Sequence, residues 1–493
     1  MACLIALYVA VRMWHLTDSC LWFDEIFSIH AAKHSWDGLL QFVALDLIHP
    51  PLFYVFLKLW IGIGGESFLW LRLFPVVFSV LSIFPLISLL RELKQNTRVQ
   101  LICLFLLTFN GTLLKYSQEL RMYSLMMCFA LFSMWFFARY FFKGKSFIPL
   151  VIVNILLVYT HYYGWLVVGS EVAAILIFQR IKWRRIMAMF AITFVGFTPW
   201  IYAVWTAAQT GTGLTQNIGR TPRPGAFDLT KLVLNLVEPF YSSPTTADTI
   251  SIFSIAVPLF LISVVVIGMY LAQRKSFEVI EKQVADLLVL FVVFPIVAAF
   301  VGSWILPHSV WGTRHLIAIF APLAILIAIS LTKISAPRLR VAFSTIVVLF
   351  VVYALALALQ RSVPQTSWCA WQPFAVQAAT EKPAKIYVFE DLIAYHFWFA
   401  LEHKETPPEV AKIRSIEGVA EDLGYFLPRG FADVKTIDIA EVVDETVWIA
   451  YRGSRIDVQQ QPLKGFVDRG YKMTKSEVFV AQGENAFLML LEK

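Results

Sequence analysis

The stretch LWFDE at residues 21–25 places two acids directly after the first apolar segment of the chain. A second polar stretch, DLIHPP at residues 46–51, lies in the same loop and precedes more apolar sequence. Ionisable side chains at the edge of a bilayer are costly, so they commonly mark a functional site. The two stretches therefore predict a polytopic membrane protein whose first loop carries part of such a site.

The composition supports this prediction. Of 493 residues, 58% are hydrophobic and 15% are charged, and the mean hydropathy is +0.68. In soluble domains about a quarter of the residues are charged. Residues 1–360 hold 26 Lys and Arg against 15 Asp and Glu, and residues 361–493 hold 15 against 19. We predict a transmembrane domain over 1–360 and an acidic α/β domain over 361–493. The pI of about 9.0 then reflects membrane-flanking loops and not a nucleic-acid partner.

Apolar runs predict about eleven transmembrane helices in an all-α membrane domain. Basic residues concentrate in five of the connecting loops, which are all cytoplasmic if the amino terminus is inside. Residues 50–62 are apolar but short and begin with two prolines, so we expect them to form an interfacial helix of the first outer loop. The predicted spans lie near residues 1–16, 72–90, 99–114, 122–138, 147–160, 164–179, 186–206, 250–272, 284–306, 316–332 and 340–359.

Polar residues gather on the predicted outer face, in four separate segments between spans. This face also receives the loop 207–249 and the carboxy-terminal domain. No predicted cytoplasmic loop has a comparable mixture of acids, histidines and aromatic residues. The candidate site residues are Asp24, Glu25, Asp46, His49, Glu119, Arg121, Tyr123, His161, Tyr162, Arg314 and His315.

Each candidate also has a simpler explanation. Loop carboxylates are commonly just solvated, Trp and Tyr at span ends form the aromatic belt, and Glu119 and Arg121 can pair with each other. Their joint occurrence on one face nevertheless favours a site. Glu171, inside a span, is expected to be a buried structural acid.

The carboxy-terminal region has the pattern of a small α/β domain. Strands are predicted at 385–389 and 446–451, with 479–481 and 487–491 as a closing pair. Helices are predicted at 391–403 and 416–424. The five cysteines have no metal-ligand spacing. Cys20 and Cys369 both fall on the outer face, and a bridge between them is one of several possibilities.

The chemistry that suits these residues is sugar transfer from a lipid-linked donor. A carboxylate at the interface can remove a proton from an acceptor hydroxyl as that hydroxyl attacks an anomeric carbon. A leaving lipid phosphate accumulates negative charge, which Arg, Lys or protonated His stabilises. The chain has neither GxGxxG after a strand nor GxxxxGK[ST]. A donor carried by a lipid and not by a nucleotide is consistent with that absence.

Several short motifs of the first 340 residues, in their order along the chain, resemble those of the GT-C superfamily. The resemblance is to its bacterial protein O-mannosyltransferase-like and aminoarabinose-transferase-like enzymes. These use polyprenyl-phosphate sugars. The motifs are the acids at 24–25, HPPL at 49–52, FLWLRLFP at 68–75, YSQELRMY at 116–123, THY at 160–162 and RHL at 314–316.

The resemblance implies a glycosyltransferase, either a hexosyl- or a pentosyltransferase, of the cell (inner) membrane. Asp24 resembles the catalytic carboxylate, with Glu25 supporting it. His49 occupies the place of a residue near the donor phosphate, Glu119 and Arg121 fall where a further site acid is usual, and Arg314 resembles a phosphate-side cation. The implied partners are a polyprenyl-phosphate sugar donor, membrane lipids and an acceptor that is a glycan, lipid or protein. No cofactor is implied, and a divalent cation is left open because metal dependence varies across the superfamily.

Two other classes of protein are alternatives. A transporter or flippase for a glycolipid would have ionisable residues in mid-membrane and paired halves with broken helices. Glu171 fits that pattern, but the other acids cluster at one interface. A non-enzymatic assembly protein would explain the carboxy-terminal domain but not the acids of the first loop.

Overall fold

The computed structural model describes residues 1–209, 222–240, 252–360, 366–381, 385–402, 407–414, 434–481 and 483–493. The chain forms two compact units. The helical unit comprises Met1–Leu16 and Leu39–Ser362, and the sheet unit comprises Thr17–Gly38 and Val363–Lys493. Each is described by itself below.

Helices build the first unit, and each of the eleven predicted apolar runs coincides with a helix or with two consecutive helices. The all-α polytopic architecture is therefore as predicted. Trp36–Asp46 begins in the sheet unit and ends in the helical unit. The other helices are Ala2–Met13, Leu52–Gly64, Phe68–Leu81, Ile83–Glu92, Thr97–Phe109, Gly111–Gln118, Tyr123–Lys143, Phe147–Thr160, Gly164–Phe178, Trp183–Ala208, Ala226–Asn235, Val257–Ala272, Val279–Ile305, Phe320–Thr332 and Pro337–Gln360.

Seven helical segments of the described chain are long and apolar enough to cross a membrane. Five further apolar helices have 10–17 residues, among them Leu52–Gly64, the segment expected to lie in the interface. The count of eleven crossings stays a prediction. Residues 210–221 and 241–249 of the predicted loop 207–249 lie outside the described residues, and its described part contains the helix Ala226–Asn235.

Polar side chains fix where several helices begin. Ser67 Oγ accepts a hydrogen bond from the backbone N–H of Trp70, and Asn96 Oδ1 accepts one from Val99. Asn110 Oδ1 caps the helix Gly111–Gln118 in the same way. Such caps satisfy backbone donors that have no partner inside the helix. The helix Gly111–Gln118 leads directly into residues 119–123, so its cap positions part of the candidate site.

Arg12 is a buried cation in the first apolar helix. Its Nε donates to Ser79 Oγ at 2.7 Å, an Nη donates to the carbonyl of Leu107 at 3.2 Å, and the guanidinium lies over the ring of Tyr8. A buried charge is tolerated when hydrogen bonds replace its hydration. Arg12 therefore ties three helices together, although the sequence pattern did not single it out.

Glu171 has the structural role that the sequence predicts, and the structure identifies its partners. Its carboxyl oxygens lie 2.6 Å from Ser133 Oγ and 2.7 Å from Asn154 Nδ2, and Ser133 Oγ also lies 2.6 Å from Asn154 Oδ1. All three residues are fully buried. The Ser133 hydroxyl has one hydrogen, so it can serve only one of its two neighbours. A carboxylic acid or an amide at position 171 would supply the hydrogen that completes the ring of bonds.

We therefore expect Glu171→Gln to unfold at a temperature close to that of the unsubstituted protein, because the amide supplies the missing donor. Glu171→Ala should lower the unfolding temperature clearly, since each buried polar group left without a partner costs about 1–3 kcal/mol. Thermal unfolding of the detergent-solubilised protein measures both. Equal destabilisation by Gln and Ala would show that the ring is not the stabilising feature.

The sheet unit is built around one six-stranded sheet of order β3-β2-β1-β4-β6-β5. The first four strands in this order are parallel, β6 is antiparallel to β4, and β5 is antiparallel to β6. This confirms the predicted small α/β domain. The strands are β1 (Lys385–Val388), β2 (Glu409–Arg414), β3 (Lys435–Asp438), β4 (Thr446–Gly453), β5 (Lys472–Phe479) and β6 (Asn485–Glu492).

Alternating side chains of the strands form two apolar cores. Ile386 and Val388 of β1 pack on one face with the helices Trp371–Glu381 and Asp391–Leu401, and Tyr387 packs on the other face with Phe466. The helix Asp391–Leu401 agrees with the predicted helix at 391–403. The predicted helix at 416–424 lies outside the described residues.

Residues 17–38 group with the sheet unit, whereas the predicted boundary assigned them to the membrane domain. A disulfide joins Cys20 to Cys369, with 5.2 Å between their Cα atoms. Lys33 Nζ lies 3.0 Å from Glu402 Oε2, and the rings of Phe23 and Tyr395 are 5.6 Å apart. These long-range contacts explain the grouping, and sequence spacing cannot show them.

Candidate functional site

Three predicted residues of the helical unit form a hydrogen-bonded chain. Asp46 is the last residue of its helix, and Leu47 then adopts a left-handed conformation with φ of 62°. His49 Nδ1 lies 3.3 Å from Asp46 Oδ2, and His49 Nε2 lies 3.3 Å from an Nη of Arg121. Asp46, His49 and Arg121 are all buried. The first loop and the segment after Gly111–Gln118 therefore meet at His49.

The chain of hydrogen bonds sets the tautomer of His49. A guanidinium has only donors, so Arg121 donates to His49 Nε2, which must carry a lone pair. The ring hydrogen of neutral His49 is then on Nδ1 and is donated to Asp46. Hydrogen bonds thus connect the guanidinium of Arg121 to the carboxylate of Asp46 through the imidazole of His49. They hold all three side chains in place.

A second group of rings lies next to His49. The His161 ring centroid is 5.6 Å from that of His49 and 4.9 Å from that of His315. Tyr163 lies 5.4 Å from His161 and 5.0 Å from His315. We call His49, His161, Tyr163 and His315, together with Asp46, Tyr123, Arg121 and Arg314, the histidine cluster.

His161 has a defined tautomer and an available donor. Its Nδ1 accepts a hydrogen bond from the backbone N–H of Tyr163 at 3.1 Å, so the neutral ring carries its hydrogen on Nε2. Burial holds the pKa of His161 well below its ordinary range, and the nearby His49, Arg121 and Arg314 act in the same direction. His161 is therefore neutral at physiological pH and presents an N–H group.

The buried atoms His161 Nε2, His315 Nδ1 and the hydroxyl of Tyr163 have no hydrogen-bond partner among the described residues. Buried polar atoms in folded proteins nearly always have a partner, so such a concentration indicates a place where a polar ligand binds. Burial also raises the pKa of Tyr163, so its hydroxyl stays protonated and can donate.

Arg314 and Tyr123 complete the cluster. The Arg314 guanidinium carbon lies 5.9 Å from the centre of the buried Tyr123 ring, which itself lies 6.1 Å from the ring of His315. Arg314 and His315 lie in the 3₁₀ segment Thr313–Ile319, before Phe320–Thr332. Two arginines from distant parts of the chain therefore flank the same group of rings, which gives this region a positive character.

Tyr162 and Glu119 lie beside the cluster. The hydroxyl of Tyr162 accepts a hydrogen bond from Trp200 Nε1 at 3.1 Å, and burial raises the Tyr162 pKa to about 12. This bond fastens the turn to the helix Trp183–Ala208. Glu119 is buried, and its carbonyl accepts the backbone N–H of Arg121 in a tight turn.

Asp24 and Glu25 belong to the sheet unit and are described separately from the histidine cluster. Asp24 lies in the first turn of the helix Phe23–Lys33 and is partly exposed. Glu25 is buried, and its carboxylate accepts the backbone N–H of Trp22 at 3.2 Å, which caps this helix. This bond gives Glu25 a structural function, and its predicted support of catalysis remains a proposal.

Three residues near the cluster were missing from the predicted site. Tyr163 fits the aromatic belt that is expected at span ends, although its position two residues after His161 is a usable signal. Arg72 donates to the carbonyl of Gln118 and so holds the segment before Glu119. Gly312 leaves room for the ring of His315. Among the described residues, no group of three or more His, Cys, Asp and Glu is arranged to hold a metal ion.

Gly312→Ala should move the His315 ring out of the cluster without unfolding the protein. An added Cβ would lie 2.4 Å from His315 Nδ1, and a flexible side chain relieves such a clash by rotating. We expect His315 to react several-fold faster with diethylpyrocarbonate, as measured by peptide mass mapping. In the control Gly302→Ala, the new Cβ meets only Val310 Cγ2 at 3.7 Å. An unchanged His315 rate in Gly312→Ala would contradict the packing described.

Comparisons with known proteins give a structural match only. No protein-family model and no curated protein sequence matches the chain. The structure of ArnT from Cupriavidus metallidurans bound to undecaprenyl phosphate aligns with a TM-score of 0.62 and 12% identity, covering 99% of this chain and 97% of ArnT. The apo state of the same protein aligns with a TM-score of 0.57 and 11% identity over the same shares.

At such identities the likeness concerns the fold alone. It includes nearly the whole of both chains, and therefore both the helical part and the carboxy-terminal part. ArnT is an aminoarabinose transferase of the GT-C superfamily. The chain thus has the same overall fold as ArnT, in agreement with the architecture that its sequence predicts.

Proposed function

We propose that the protein is an integral-membrane glycosyltransferase that moves a sugar from a polyprenyl-phosphate donor to an acceptor hydroxyl on the outer face of the membrane. The acceptor is a protein, lipid or glycan. The fold is consistent with this function, because the similar ArnT structure holds undecaprenyl phosphate. The residues of the helical unit supply an independent argument.

The observation that carries the proposal is the histidine cluster with its buried donors. The Nε2–H of His161 and the hydroxyl of Tyr163 have no partner among the described residues, and Arg121 and Arg314 flank the same rings. Neutral donors and cations together suit a phosphate, whose oxygens accept several hydrogen bonds and whose charge needs compensation. A carboxylate-rich or purely apolar site would not bind this group.

In the proposed reaction the acceptor oxygen bonds to the anomeric carbon while the bond from that carbon to the phosphate oxygen breaks. The electron pair leaves with the polyprenyl phosphate, and the acceptor proton passes to a carboxylate base. A single displacement from the opposite side inverts the anomeric configuration. Arg121, Arg314 and the Nε2–H of His161 stabilise the phosphate charge that develops.

We assign the base to Asp24, which lies in the first turn of the helix Phe23–Lys33 and is partly exposed. Its carboxylate is therefore accessible to an acceptor hydroxyl. The side chains of Glu25 and Asp46 are buried, and both have structural bonds, because Glu25 caps the same helix and Asp46 interacts with His49.

The distribution of buried acids favours an enzyme over a glycolipid transporter. Glu171, the acid inside a span that fitted the transporter alternative, is held by Ser133 and Asn154. The ionisable residues of the histidine cluster lie in segments between or before long helices, not at the centres of spans. A transferase also works without a sealed compartment, whereas a transporter does not.

Asp24→Asn should abolish sugar transfer while leaving expression and membrane insertion intact. The measurement is the glycan and lipid mass profile of a deletion strain complemented with each variant, together with release of free polyprenyl phosphate by the detergent-solubilised protein. Loss of a general base lowers the rate by roughly 10²–10⁴-fold.

The matched control is Asp37→Asn, an exposed acid in the first turn of Trp36–Asp46. It should restore the wild-type glycan profile. If Asp24→Asn turns over at a near-normal rate, Asp24 is not the base. If the wild-type protein releases no polyprenyl phosphate in detergent but moves a glycolipid across the membrane of sealed vesicles, the transporter alternative replaces the proposal.

A further inference from the structure

A cavity opens between three helix ends, among loops that the charge pattern predicts to be cytoplasmic. It has about 800 Å³ of empty space, including its open mouth. Apolar residues of the helices Thr97–Phe109, Phe320–Thr332 and Pro337–Gln360 line one part of it, and Arg98 and Arg340 line another. The remaining lining residues are Thr332, Ser344 and Thr345. None of these residues belongs to the histidine cluster.

The two arginines form no ion pair with an acid among the described residues. Three acids that flank the basic loops have other partners, because Glu92, Glu281 and Asp286 pair with Lys143, Lys333 and Arg274. The cavity therefore holds two positive charges that no acid of the described residues neutralises. An anionic ligand fits this charge.

The apolar walls restrict the ligand further. Leu101, Ile102, Leu331 and Val341 lie beside the arginines and hydroxyls. Free phosphate would gain nothing from such walls, whereas a lipid presents a phosphodiester next to hydrocarbon chains. Basic pockets between transmembrane helices on the cytoplasmic side are suited to anionic lipid headgroups.

We propose that this cavity binds the phosphodiester headgroup of an acidic phospholipid through Arg98 and Arg340, with its acyl chains along the apolar walls. This lipid site is distinct from the histidine cluster, and its existence does not depend on the proposed transfer reaction. The helix Pro337–Gln360 buries only Val351 and Ala354 among its side chains. A lipid held between its first turns and the neighbouring helices would supply packing that this helix lacks.

The test is native mass spectrometry of the full-length protein in detergent with added phosphatidylglycerol or zwitterionic phosphatidylcholine. The unsubstituted protein should retain phosphatidylglycerol more strongly. Each charge near a membrane surface contributes about fivefold in lipid affinity. We therefore expect Arg98→Gln with Arg340→Gln to weaken phosphatidylglycerol retention by more than tenfold and phosphatidylcholine retention by much less.

Arg338→Gln is the matched control, because this exposed arginine lies two residues from Arg340 but does not line the cavity. Val341→Trp narrows the cavity without changing charge and should also weaken retention. An effect of Arg338→Gln equal to that of the double variant would overturn the proposal in favour of diffuse attraction. Displacement of the lipid by excess inorganic phosphate would overturn it in favour of a soluble anion.

Discussion

The hydrogen bond from Arg121 to His49 is the interaction on which the arrangement of the candidate site depends. It joins two segments that are 72 residues apart, and it forces the ring hydrogen of His49 onto Nδ1, where Asp46 accepts it. Because the imidazole is held at both nitrogens, its ring position is fixed. The rings of His161 and His315 pack in sequence from there. The single carboxylate of Asp46 lies at one end of this arrangement, and the second arginine, Arg314, leaves the cluster with a positive character.

The same constraint operates elsewhere in the helical unit. Arg12 is surrounded by carbonyls and a serine hydroxyl, and Glu171 closes a ring with Ser133 and Asn154. Both arrangements join different helices by satisfying polar atoms that burial would otherwise penalise. The histidine cluster differs, because His161 Nε2, His315 Nδ1 and the Tyr163 hydroxyl have no partner among the described residues. This contrast separates the polar groups that stabilise the fold from those available for a ligand.

Much of the architecture was predictable because apolar runs and basic loops are strong local signals. Hydropathy located helices for all eleven predicted spans, and alternation located β1 and β4 of the sheet. The sequence predicts only that residues 46–49, 121, 161 and 314–315 lie on the same face of the membrane, and not that they contact each other. Their contacts depend on helix packing, which no local pattern encodes.

Other features could not be predicted from the sequence, and each has a definite physical reason. The Cys20–Cys369 bridge spans 349 residues, and cysteine spacing alone gives no pairing. Gly312 could not be recognised, because its importance lies in the ring of His315 beside it. Glu25 resembled a catalytic helper from its neighbour Asp24, whereas its visible bond is a helix cap. Short-range patterns therefore identified the right segments more reliably than the roles of single side chains.

If the histidine cluster binds a lipid-linked phosphate, its side chains should determine the affinity of the purified protein for undecaprenyl phosphate. His161→Phe keeps the size of the ring but removes the Nε2–H, and loss of a hydrogen bond to a charged group costs about 1.5–3 kcal/mol. We expect this variant and Arg314→Gln each to bind undecaprenyl phosphate at least about tenfold more weakly. His308→Gln, which no described contact places in the cluster, should bind it normally. Unchanged affinity in both cluster variants would show that the cluster does not bind the phosphate.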